Sequence, residues 1–190
     1  MRKCTAIICA LLISTVLFSQ SKYEKEERIK ESAVPPSAKA FVDSLGFNGK
    51  IKWFEETGLN RRSYEAKTKH RSKRYSVEFS VDGQIEDVEV TIDMKEIKSD
   101  VRSNISQYCQ NNFSKHRICK VQIQYTGSPL DLKNTITSGQ RTPGTTINYE
   151  IEVKVKKGSE FRLYEFLFDE EGTKLSELEI IENNTDHLEY

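Results

Sequence analysis

The chain has 190 residues, with 29 Lys and Arg balancing 29 Asp and Glu. That neutrality excludes bulk electrostatic attraction to nucleic acid or an anionic membrane. The length fits one compact domain or two small ones, and two of the four cysteines, Cys4 and Cys9, fall in the N-terminal nineteen residues.

Met1-Arg2-Lys3 opens the chain with positive charge, and Thr5 to Phe18 carries none. This pattern reads as a secretory signal over residues 1–19, cleaved near Ser19/Gln20, and it predicts a periplasmic or secreted protein. The apolar run is short for a membrane span. Neither Cys4 nor Cys9 has the flanks of a lipidated cysteine. Without residues 1–19 there remain 27 Lys and Arg against 29 Asp and Glu, a net charge of −2.

Residues 20–33 are dense in Lys and Glu and read as a solvated leader. Val34-Pro35-Pro36 opens a helix whose apolar face is Ala38, Phe41, Val42 and Leu45, closed by Gly46. Four strands follow. Ile51 and Trp53 mark the first, and Tyr64, Ala66 and Thr68 the second. Tyr75, Val77, Phe79 and Val81 alternate ahead of an Asp82-Gly83 turn. Ile85, Val88, Val90 and Ile92 make the fourth strand, with a bulge at the three-residue step.

A second helix carries Ile97, Val101, Ile105 and Tyr108 or Cys109, with Ser99 or Asp100 as its cap. Val121, Ile123 and Tyr125 form a strand, and residues 126–146 read as a long loop rich in Gly, Pro, Ser and Thr. Ile147 to Val155 alternates without a break; Phe161 to Phe168 and Leu175 to Ile180 complete the set around turns at Gly158 and Gly172. The chain thus reads as one unit twice, at residues 34–94 and 95–182, with a tail at 183–190. The fold class expected is α+β: tandem helix-plus-four-strand repeats, with the helices packed on one face of an extended antiparallel sheet.

These residues resemble a known family. Val34-Pro35, Ile51-Lys52-Trp53, Tyr64-Glu65-Ala66 and Phe79-Ser80-Val81-Asp82-Gly83, behind an export signal, look like the PepSY-like, beta-lactamase-inhibitor-like periplasmic proteins of bacteria. The resemblance implies a tandem fold whose open sheet face binds a protein. It implies no catalytic residues and no cofactor. The residues 126–146 stretch and the missing second Val-Pro depart from the pattern.

No reacting constellation stands out. His70, His116 and His187 are scattered, and no zinc-ligand spacing or phosphate loop occurs. No metal site and no enzyme activity are expected. Cys109 and Cys119 point to one disulfide in an oxidising compartment, worth roughly 2–3 kcal/mol; the alternative is two buried free thiols. Trp53 and Tyr125 are the candidate contacts on the open face, for an exported or envelope protein partner. The second candidate is a basic hairpin with Arg61, Arg62, Arg71 and Arg74, suited to an anionic glycan or lipid. Against it stands a simpler role, charges that keep a sheet edge from pairing.

Overall fold

The computed structural model describes residues 21–22, 24–58 and 61–181. The predicted signal over residues 1–19 and the tail at 183–190 lie outside the described residues.

Strands β1 (Ser21–Lys22) and β2 (Glu24–Ile29) come first. The expected solvated leader at 20–33 is corrected in part: Glu24, Lys25, Glu26 and Glu27 sit on β2, which pairs along its length with the strand after the first helix. Helix α1 (Pro36–Ser44) starts on Pro in its first turn and buries Ala38 and Val42. Then come β3 (Lys52–Gly58), β4 (Arg62–His70), β5 (Lys73–Ser80) and β6 (Ile85–Thr91). Helix α2 (Ser99–Asn112) follows, entered from a 3-10 turn closed by an Asp93–Glu96 capping box. Its own N-cap is Lys98, without a side-chain bond, so Ser99 and Asp100 fall inside the helix. The remainder is β7 (His116–Gly127), helix α3 (Pro129–Ser138), β8 (Thr145–Lys157), β9 (Glu160–Phe168) and β10 (Lys174–Ile180).

Helix α3 corrects the long loop expected at 126–146. Ser128 caps it by accepting from the Asp131 amide at 3.2 Å, and Pro129 fits its first turn. Leu132 is fully buried, while the hydroxyls of Thr135, Thr142 and Thr145 bond one another at 2.9–3.2 Å. The Gly, Pro, Ser and Thr content that suggested a loop supplies the ends and the polar anchor of a helix.

Strands β2 to β10 form a nine-stranded antiparallel sheet in the order β10-β9-β8-β7-β6-β5-β4-β3-β2, with β1 parallel to β10. Every strand alternates, so the sheet has two unlike faces. One is apolar and covered by helices. Under α1 lie Trp53, Ala66, Val77, Phe79 and Val88. Under α2 lie Val121, Ile151, Val153, Val155, Tyr164, Phe166 and Phe168, against Val101, Ile105 and Cys109. Burying one large apolar side chain contributes about 1.5–3 kcal/mol.

Two turns lock onto the helices. At Gly83, with φ of 74°, an added Cβ would lie 2.3 Å from Ser37 Oγ, and that hydroxyl donates to the Gly83 carbonyl at 3.0 Å. At Gly172 an added Cβ would lie 2.8 Å from the Val101 carbonyl oxygen, and Asn104 donates to the Glu171 carbonyl at 2.7 Å. The expected bulge is also present: Glu78 faces Asp87 and Phe79 faces Ile85, so the register shifts between them.

The sheet curls. One residue separates β1, beside β10, from β2, beside β3, which brings the two ends toward each other. The face away from the helices lies inside this curl.

Candidate functional site

The inner face carries the positions that alternate with the core. Each of the strands β2 to β10 contributes to the wall of one cavity of about 240 Å³, lined by Glu26, Glu56, Glu65, Glu78, Glu89, Glu150, Glu152, Glu165, Lys67, Lys120, Ile180 and Ile181. Eight glutamates face two lysines here. Burying carboxylates is costly unless they are paired, bonded or protonated, and all three remedies occur.

Lys67 Nζ lies 2.6 Å from Glu26 Oε2 and 2.7 Å from Glu65 Oε2. Burial lowers its pKa, but the charges of Glu65 and Glu26 outweigh this, and the net shift is upward. Lys120 pairs with Glu152 at 3.2 Å and is raised in the same way. Ser76 donates to Glu65, and Gln124 donates to Asp87 at 3.2 Å. Gln122 donates to Glu89 at 2.6 Å. Burial, with Glu78 and Asp87 nearby, pushes the Glu89 carboxyl up to about 8, and Glu89 shares a hydrogen bond with Glu150. The environment of Glu89 therefore favours the protonated form at neutral pH.

Two carboxylate groups, Glu26/Glu56/Glu65 and Glu78/Asp87/Glu89, bring ligand atoms within 4.8 Å of one another and are the arrangement that could hold a hard cation. Internal donors already serve both. Lys67 sits on Glu26 and Glu65, and the carboxamides of Gln122 and Gln124 sit on Glu89 and Asp87.

Toward the β4–β5 turn the same face changes sign. A cavity of about 510 Å³ is lined by Lys50, Lys52, Phe54, Lys67, Lys69, Arg74 and Lys120, with Glu65 as its one acid. Lys67 lies over the Phe54 ring, 5.1 Å from its centroid. Lys50 reaches the rim because residues 46–51 lie flat on β4. An added Cβ at Gly49 would fall 1.9 Å from the Lys69 carbonyl oxygen, so only glycine permits the approach. Thr68 donates to the Lys50 carbonyl at 3.3 Å and fixes the next residue.

The residues expected at the site scatter. Trp53 is 3% exposed and packs on Phe79 with ring centroids 6.0 Å apart. Tyr125 also faces the helices, beside the α2 cluster. Both were expected on the open face; strand register turns them to the covered one, with Trp53 opposite Ala66 and Tyr125 opposite Val88. The four arginines divide. Arg61 pairs with Glu86 and Arg62 with Glu55 at the start of β4, while Arg71 and Arg74 sit past its far end. Arg74 alone of the four lines the basic cavity.

The cysteines are free thiols, which corrects the expected disulfide. Cys109 is buried on the sheet side of α2, where burial raises its thiol to about 11. Cys119 is exposed at the register shift of β7. His70 packs on Phe47 and Tyr75 rather than joining any ligand set.

Lys50, Lys52, Phe54 and the ring of glutamates were missed from sequence. A signal for the ring was available: Glu65-x-Lys67, Asp87-x-Glu89 and Glu150-x-Glu152 alternate with core residues, which places every one of them on the inner face.

No helix among the described residues is long and apolar enough to cross a membrane. No family model matches the chain, and no curated protein matches it. Solved structures do. A BLIP-like protein of Bacteroides fragilis is 20% identical, covering 80% of this chain and 92% of that one at a TM-score of 0.47. A candidate periplasmic protein of Bacteroides eggerthii is 15% identical, covering 77% and 88% at a TM-score of 0.50. A DUF2874 family protein of Bacteroides ovatus is 12% identical, covering 77% and 87% at a TM-score of 0.50. The last two share this chain's fold.

Proposed function

We propose that this chain is an exported, non-catalytic binding module of the PepSY-like, inhibitor-like kind that its motifs resemble. Its contact surface is the polar side of the curled sheet, not the Trp53 and Tyr125 side. The carrying observation is the contrast of the faces: helices cover one, while the other ends in a mouth where Lys50, Lys52, Lys69 and Arg74 carry no ion pair among the described residues. Export rests on the signal pattern of residues 1–19. The module acts by binding an exported or envelope partner.

A duplicated origin belongs to this reading, with units at residues 34–94 and 95–182. Its support is the pair of equivalent locks, in which the turn before the last strand of each half docks a glycine on that half's first helix: Gly83 on Ser37, Gly172 on Val101. The α3 segment is then an insertion in the second unit.

A second reading, attachment to an anionic glycan or lipid of the envelope, is favoured by the same unneutralised mouth. It moves from Arg61 and Arg62, already paired, to Arg74 and its lysine neighbours, with exposed Arg71 at the turn beside them. A pull-down from envelope and periplasmic extract with the exported chain separates the two. One stoichiometric protein supports the first; lipid or glycan released by salt supports the second. Recovery of neither, at low salt, refutes both.

A further inference from the structure

We propose that the cavity of about 510 Å³ at the basic mouth binds a phosphate-bearing ligand, held by Lys50, Lys52, Lys69 and Arg74 beside the ring of Phe54. This rests on the envelope-attachment reading and names its chemistry.

Strand register sets like charges against each other here. Lys69 lies directly across from Arg74, and Lys52 directly across from Lys67. Like charges in directly opposed positions destabilise a sheet. Glu26 and Glu65 neutralise Lys67, but no carboxylate of the described residues pairs with the other three. The Gly49 approach then adds Lys50 to the same rim. Four cations are thus held together without counter-charge, whereas Arg61 pairs with Glu86, Arg62 with Glu55 and Arg141 with Glu170. A ligand supplies the missing charge.

Size and chemistry narrow the class. The cavity has the volume of a small-molecule site. A phosphomonoester brings roughly −1.5 to −2 charges and three acceptor oxygens at neutral pH, against one charge for a carboxylate. Four cations match the former. Arg74 offers the two-pronged donor geometry that suits phosphate, and the lysines act as point charges around it. The Phe54 wall gives an apolar surface for whatever carries the phosphate.

The test is an amide NMR titration of the exported chain with inorganic pyrophosphate at low salt. The expected result is a saturable response confined to residues 50–54 and 67–76, weakened as salt rises. In the double variant Lys69→Gln, Arg74→Gln binding should fall about tenfold or more, as for loss of charge-assisted hydrogen bonds. In Arg61→Gln, Arg62→Gln it should stay unchanged. All four side chains are exposed, so circular dichroism should confirm that both variants fold. Vesicles of phosphatidate, with phosphatidylcholine as control, identify the source: sedimentation with phosphatidate assigns a lipid headgroup, and a response to pyrophosphate alone assigns a soluble ligand. A response spread over surface lysines, equal loss in both double variants, or no saturation overturns the site. If the titration fails while the pull-down yields a protein, the binding-module reading stands and this assignment falls.

Discussion

The two faces of one sheet obey opposite rules. The covered face is stabilised by contacts that hold at any pH, with Phe79, Phe166 and Phe168 fully buried among aromatic and aliphatic neighbours. The inner face buries Glu65, Asp87, Glu89 and Glu150 almost as completely, and its stability depends on where protons and lysines sit. The proposed binding surface is set on the second, because its groups change state with pH, salt or ligand while the contacts of the first hold the fold together.

The sharpest way to break the covered face is Phe166→Ala. The ring packs on Tyr108, Phe113, Tyr164 and Phe168 at centroid distances of 5.5–6.3 Å. A cavity there should cost about 3–5 kcal/mol, read from denaturant melts, with no change in the pH profile of stability.

The inner face should do the reverse. Glu89 titrates near 8 in the folded chain, against an ordinary value of 4.5. Between those values the folded chain holds a proton that the unfolded chain has released. Its contribution is therefore fully present below about pH 4.5 and is lost as pH rises through 8, with a limiting slope of about 1.4 kcal/mol per pH unit. In Glu89→Gln that slope should vanish from the pH-dependent melts, and the variant should be the more stable protein at pH 8. An unchanged slope would show that another carboxyl of the ring carries the proton.

Helix-covered positions were legible in the sequence because apolar alternation is a strong signal. Phe79, Phe166 and Phe168 fall on alternating strand positions and are fully buried. Strands β3 to β10, the bulge before Val88 and the first two helices could also be read from period, whereas β1 and β2 lay in a stretch whose charge suggested a solvated leader. Helix α3 could not, since its stability comes from threonines bonding across a loop, a tertiary fact. Trp53 was misplaced because a large aromatic suits an interface and a core equally. Only its register opposite Ala66 decides between them. The basic mouth was half visible: Arg74 was named, but Lys50 joins it through a glycine contact 20 residues away in sequence.

That contact gives the next prediction. Gly49→Ala drives a Cβ into the Lys69 carbonyl, so the loop must lift from β4. The expected cost is about 1–3 kcal/mol, as for other overpacked contacts. The same substitution should weaken pyrophosphate binding, because Lys50 moves with the loop, whereas Phe166→Ala should weaken it only as far as the chain unfolds.

A milder test sits at the tip of the same hairpin. Arg71 and Ser72 both take positive φ, 48° and 66°, in the two-residue turn between β4 and β5. Such a turn prefers Asn-Gly, and a left-handed residue with a Cβ costs about 1–2 kcal/mol. Ser72→Gly should raise the melting temperature, with a gain of about 1 kcal/mol, and leave anion binding unaltered.

The smallest effects should separate the two ends of β4 by their sign. Arg62 holds Glu55 across an exposed surface, and such pairs are worth about 0–1 kcal/mol, so Arg62→Gln should destabilise slightly. Lys69 faces Arg74 with no counter-charge, so Lys69→Gln should stabilise by a few tenths of a kcal/mol, as for relief of directly opposed like charges. Salt should erase both differences, since both are surface electrostatics. Opposite signs at low salt would mean that one end of the strand is charged for folding and the other against it. Equal signs would mean that the mouth has a counter-charge of its own, and that it needs no ligand to supply one.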